Sequence, residues 1–116
     1  MSAQPLAGRL AVIAGASRGI GLAIAEELRS AGSHVVRLSR SLVDAEKERL
    51  TDLACDLTRP EDVARAAKLV LGERGAPDVL VNAAGTFLLK PLAETSSAEF
   101  ATQLATNLVG PFTVLR

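Results

Sequence analysis

Short apolar runs and helical apolar stripes alternate along the 116 residues. Residues 10–14, Leu-Ala-Val-Ile-Ala, are apolar at odd and even positions alike, the pattern of a strand covered on both faces. Beyond a glycine-rich turn, Ile20, Ile24 and Leu28 recur at helical spacing with Ala23 and Ala31 nearby, and Gly32 stops the helix. A second strand is predicted over 34–39, centred on the β-branched Val35 and Val36. The charged run 44–49 reads as a short exposed helix or loop with a solvated face, and residues 50–56 as a third, weaker strand. Thr58 and Glu61 have the spacing of a capping box for a helix reaching about Glu73, with Val63, Ala66, Ala67, Val70 and Leu71 as its apolar stripe. A fourth strand covers 78–81. A second capping box, Ser96 to Glu99, opens a long helix carrying Phe100, Leu104, Leu108 and Phe112, which Pro111 should kink.

This alternation predicts right-handed parallel βαβ units, hence an α/β fold: one domain over 1–116 with a doubly wound parallel sheet of order 3-2-1-4 between two helical layers. The 48% apolar content is ample for a core. Thirteen basic and thirteen acidic residues cancel, so no overall field draws nucleic acid or an anionic membrane, and any anion site must be local. No apolar stretch is long enough to span a bilayer, and a cytoplasmic location is expected. One Cys55 and one His34 make neither an internal disulfide nor a zinc cluster. Cys55 reads as a buried strand residue, with a reactive thiol as the other reading, and His34 as a solvated or locally bonded side chain.

The chemistry-bearing stretch is 14–21, Ala-Gly-Ala-Ser-Arg-Gly-Ile-Gly, at the predicted strand-to-helix turn. Gly15 can take a tight turn, while Gly19 and Gly21 let a pyrophosphate and the neighbouring strand approach the backbone. The first N–H groups of the new helix lack intrahelical partners and carry the positive end of its dipole. A plain tight connection is the competing reading. The spacing Gly-x-x-x-Gly-x-Gly is neither Gly-x-Gly-x-x-Gly nor a P-loop, which would need Lys-Ser/Thr. It resembles the Thr-Gly-x-x-x-Gly-Ile-Gly motif of the short-chain dehydrogenase/reductase family, with Ala14 in place of the threonine.

The resemblance extends over nearly the whole chain and implies a Rossmann-type cofactor-binding half. It assigns to the cofactor Gly15, Ser17, Arg18, Gly19, Ile20 and Gly21 of the turn, and Asn82, Ala83, Ala84 and Gly85, which match Asn-Asn-Ala-Gly except at Ala83. It also assigns Asp56, as acceptor for the adenine amino group, and Leu57; a turn former before Thr58 is the alternative reading of Asp56. Asn107 corresponds to the family's catalytic asparagine, whose bent helix frees a carbonyl for a water in a proton relay; a solvent-facing or packing role is the alternative. The second strand ends in Ser39-Arg40 with no carboxylate for a ribose, and Arg18 can reach the same place from the turn, so NADP(H) is expected over NAD(H).

By resemblance, the expected reaction is hydride transfer between the nicotinamide and a ketone or alcohol, including the 3-oxoacyl-thioester type. The family's Ser and Tyr-x-x-x-Lys are absent from these 116 residues, so the chain is expected to be a fragment or truncated product, catalytically incomplete alone. The same resemblance implies a homo-oligomer, dimer or tetramer, packed through the long helix. Two other functions stand beside it: a non-catalytic NADP(H)-binding or sensing protein, and a methyltransferase, against which Ser39-Arg40 counts.

Overall fold

The structure, a computed structural model, describes residues 4–86 and 88–116. The first strand, β1 (Leu10–Ala14), is buried at every position because both of its faces are covered. Leu10, Val12 and Ala14 join one core and Ala11 and Ile13 the other. Helix α1 (Gly19–Ser30) packs Ile24, Ala25 and Leu28 onto the second core, and the chain returns as β2 (His34–Ser39), parallel to β1. Ile20 is not part of that stripe: it stands 78% exposed at the start of the helix, and Gly21 and Ala25 are the buried positions.

The charged run is neither helix nor loop. Ala45–Lys47 form an edge strand, β3, antiparallel to β4 (Leu50–Ala54), which itself lies parallel to β2. Glu46 anchors this hairpin: Thr51 donates its hydroxyl to it at 3.1 Å, and Arg74 reaches it at 2.7 Å. His34 is locally bonded, its Nε2 lying 2.8 Å from the Thr51 hydroxyl. Since that hydroxyl's one proton goes to Glu46, the imidazole is the donor.

Helix α2 (Pro60–Arg74) starts without the expected box. Arg59 is the N-cap and no side chain caps it; Thr58 instead gives its hydroxyl to Asp56 at 2.6 Å, and Glu61 pairs with Arg59 at 3.0 Å. Ala66 and Val70 are its buried face, with Val63 and Leu69 beside them, whereas Leu71 is 55% exposed. Strand β5 (Val79–Asn82) pairs with β1, giving the order β3-β4-β2-β1-β5. This is the expected 3-2-1-4 arrangement with one antiparallel strand added at the β4 edge.

A 3-10 turn at Leu92–Glu94 leads to α3 (Ser97–Leu104), where the second capping box does form: Ser96 accepts the Glu99 N–H at 3.0 Å and Glu99 accepts the Ser96 N–H at 3.0 Å. A π-helical turn, Ala105–Val109, then joins α4 (Gly110–Leu115). The expected irregularity therefore falls on the turn preceding Pro111, whose ring leaves the Asn107 carbonyl without an α-helical N–H donor. Gly110 lies against Leu57 and Val114 joins the core under α2, so α2 and α4 share one face of the sheet and α1 the other.

Candidate cofactor site

Three loops at the carboxyl ends of β1, β4 and β5, together with the end of β2, surround a cleft of about 320 Å³. Its geometry begins with Gly15, which leaves β1 at φ 81° and donates its N–H to the Leu38 carbonyl at 2.8 Å. A Cβ there would sit 2.5 Å from the backbone of Ala84, so the loop after β5 rests directly on the glycine turn. Gly21 is equally confined, since a Cβ would strike the Gly15 carbonyl. Gly19 differs: at φ 61° its missing side chain would point into open space. The Ala83 N–H bonds the Ala14 carbonyl at 2.9 Å, so backbone alone ties turn to loop where Ala14 offers no hydroxyl.

Arg18 is the N-cap of α1 in extended conformation, and no side chain caps the helix. The N–H groups of Gly19, Ile20 and Gly21 thus have no intrahelical acceptor and carry the positive end of the helix dipole. Such an opening fits a phosphate. Arg18 and Arg40 line the same cleft, and neither has a carboxylate partner among the described residues; Arg29 and Arg49 also lack one but donate to backbone carbonyls of Glu48 and Arg29 away from the cleft. Between them Ser39 donates its hydroxyl to Ser17 at 3.2 Å.

The structure brings Gly15, Ser17, Arg18, Gly19, Ile20 and Gly21 together on one wall, with Ser39 and Arg40 at one end. Asp56 and Leu57 line the cleft past β4, and Ala83, Ala84 and Gly85 past β5. Asn82 does not reach it. It closes β5 opposite Ala14, with its side chain exposed and unbonded among the described residues. Asp56 serves the turn with one oxygen, Oδ1, which accepts the Thr58 hydroxyl and N–H (3.0 Å); Oδ2 has no partner among the described residues. These bonds from Thr58 hold its carboxyl below the usual range. Cys55 is buried, and burial pushes its thiol up to about 11, so it stays protonated at neutral pH.

Asn107 also lies off the cleft wall, in the π-helical turn, and its side chain is fully engaged. Oδ1 accepts the Thr86 N–H at 2.7 Å while Nδ2 donates to the Thr86 carbonyl at 3.0 Å and to Gln103 at 3.3 Å. Only its backbone carbonyl remains for other work. Thr86 and Thr106 line the cleft beside it, and sequence reasoning missed both. Threonines on a loop and a helix carry no periodic signal, and the bonds between Asn107 and the Thr86 backbone that join the two segments are not visible in the sequence. No cluster of metal-ligating side chains occurs among the described residues.

A parallel sheet with a glycine turn after its first strand and a crevice at the strands' carboxyl ends defines a Rossmann-type fold. The family model described as short chain dehydrogenase matches residues 9–116, and the chain belongs to that family. It is 37% identical over 115 residues to a farnesol dehydrogenase of Aedes aegypti, covering 90% of this chain and 47% of the relative. It is 36% identical over 113 residues to the 3-oxoacyl-[acyl-carrier-protein] reductase FabG of Vibrio cholerae, covering 92% and 46%. The chain thus spans about half the length of the curated relatives it matches. Among solved structures, a mutant short-chain dehydrogenase/reductase of Serratia marcescens superposes with a TM-score of 0.89 at 27% identity, over 96% of this chain and 50% of that one. A variant of ElxO with NADPH bound (TM-score 0.84, 27% identical, 92% and 47% covered) and a Leptospira borgpetersenii short-chain dehydrogenase with NAD+ bound (0.88, 25%, 96% and 44%) show both dinucleotides in similar folds.

Proposed function

We propose that the protein is an NADP(H)-dependent oxidoreductase that moves hydride between the nicotinamide and a ketone or alcohol, with this chain supplying the cofactor-binding half. The observation that carries it is the pair of carboxylate-free guanidiniums, Arg18 and Arg40, lining one cleft with an uncapped helix N-terminus. The Gly19–Gly21 N–H groups take the pyrophosphate, the Arg18 and Arg40 forks take the 2′-phosphate, and the second oxygen of Asp56 accepts from the adenine amino group. The small loop 83–85 leaves room for the nicotinamide ribose. When bound, the cofactor supplies or accepts the hydride. Asn107 fastens the loop at Thr86 and leaves its own carbonyl to hold a water of the proton path. The likeness to a 3-oxoacyl reductase supports a 3-oxoacyl thioester as one carbonyl substrate.

Calorimetric titration of the protein with NADPH and NADH tests the assignment. NADPH should bind more tightly, and Arg40→Asp should narrow or reverse the ratio by removing a charge-assisted contact and adding a repelling carboxylate, an effect of about tenfold or more. An unchanged ratio contradicts the NADP(H) reading. Following NADPH oxidation by the full-length protein with acetoacetyl thioesters and simple ketones tests the reaction; binding without turnover of any carbonyl by that full-length protein would favour the sensing function.

A further inference from the structure

The short crossover between β2 and β4 raises a question about Arg40. Ten residues, 40–49, replace the helix that usually joins two parallel strands, so no helix holds the loop that presents this guanidinium. Its near end is fixed at Ser39, whose carbonyl accepts the N–H groups of Cys55 at 3.1 Å and Leu42 at 3.3 Å, placing Arg40 and Ser41 at the centre of a turn. Its far end is fixed by Asp44. There Oδ1 accepts the Ala54 N–H at 2.7 Å and Oδ2 accepts Arg65 Nη1 at 3.1 Å, while Arg65 Nη2 closes the ring by donating to the Ala54 carbonyl at 2.6 Å.

We infer that Asp44 is a positioning residue for the 2′-phosphate end of the cleft: its clasp on Ala54 and Arg65 holds the 40–44 loop so that Arg40 faces the phosphate. The inference rests on the NADP(H) reading and deepens it. The sign of the effect separates positioning from charge. A carboxylate near a phosphate site repels the ligand, so removing it for charge reasons alone would tighten NADPH binding; losing the clasp loosens it. NADH has no 2′-phosphate and should be indifferent to either.

The test is the dissociation constants of NADPH and NADH for the wild-type protein, Asp44→Ala, Asp44→Asn, Arg40→Ala and the Asp44→Ala/Arg40→Ala double variant. Asp44→Ala should weaken NADPH about fivefold or more and leave NADH within about twofold; Asp44→Asn keeps an acceptor for the Ala54 N–H and should fall between. In the Arg40→Ala background the Asp44→Ala change should have almost no further effect on NADPH. Equal weakening of both nucleotides, tighter NADPH binding, or full additivity with Arg40→Ala overturns the inference. Should Asp44→Ala not fold, Arg65→Lys, which keeps the charge but not the two-pronged bridge, gives the same comparison. A wild-type protein without NADPH preference, or an Arg40→Ala variant that retains it, would instead defeat the underlying cofactor reading.

Discussion

Gly15 and Gly19 sit four residues apart in one motif, yet the structure uses them differently. Both adopt positive φ, but a Cβ on Gly15 collides with Ala84 backbone whereas one on Gly19 meets nothing. Gly19→Ala should therefore cost about 1–2 kcal/mol of folding stability, from the left-handed backbone alone, while its methyl group intrudes where a phosphate belongs. Gly15→Ala adds the collision and should cost more, about 3 kcal/mol or above. Urea unfolding of the two variants gives the comparison; equal losses would mean that the loop after β5 yields freely. The glycine spacing and the small residues 83–85 were separately legible in the sequence. Their contact was not, because it joins positions nearly seventy residues apart through the β1–β5 pairing. Ile20 misled the helical pattern for a related reason: a residue at the mouth of a ligand cleft has the periodicity of a core residue but no core to enter.

At the level of elements, two stretches with the same capping-box spacing behave oppositely. At Ser96 the reciprocal bonds form; at Thr58 the hydroxyl is captured by Asp56 and the partner carboxylate by Arg59. Ser96→Ala should cost about 1 kcal/mol, whereas Thr58→Ala should leave the start of α2 intact by amide hydrogen exchange. Glu99 carries the pH signature of the working box. The Ser96 N–H, then Lys90, lower its carboxyl from 4.5 to about 2, so its contribution is complete above the unfolded value and disappears as pH falls through about 2. A carboxyl carbon NMR titration should find that midpoint, and one near 4.5 would mean that the box is open in solution. The β3 hairpin was illegible because Ala45–Lys47 lacks alternation; its pairing with β4 and the Glu46 bonds to Thr51 and Arg74 come from tertiary neighbours.

On the scale of the whole molecule, strand order followed from the alternation of apolar runs and stripes, since right-handed crossovers leave few other arrangements. The same four-strand arrangement leaves an edge strand and much of the last helix's apolar face open, as alternation of strands and stripes also implies. Phe100, Leu108, Phe112 and Leu115 are each about 60% exposed along α3 to α4, and β5 is an edge of the sheet. We propose that a homo-oligomer, expected from the family resemblance, covers this stripe. These 116 residues should sediment as species larger than the 12.1 kDa monomer, and Phe112→Glu should shift them toward it; a monomer at all concentrations would contradict the proposal. The central claim, a nicotinamide dinucleotide with its pyrophosphate on the opening of α1, is tested most directly by a 1H–15N correlation titration with NADPH. The account predicts that the amides of Arg18, Gly19, Ile20 and Gly21 shift and saturate together with those of Ser39 and Arg40. Saturable binding that leaves these six resonances in place would contradict it.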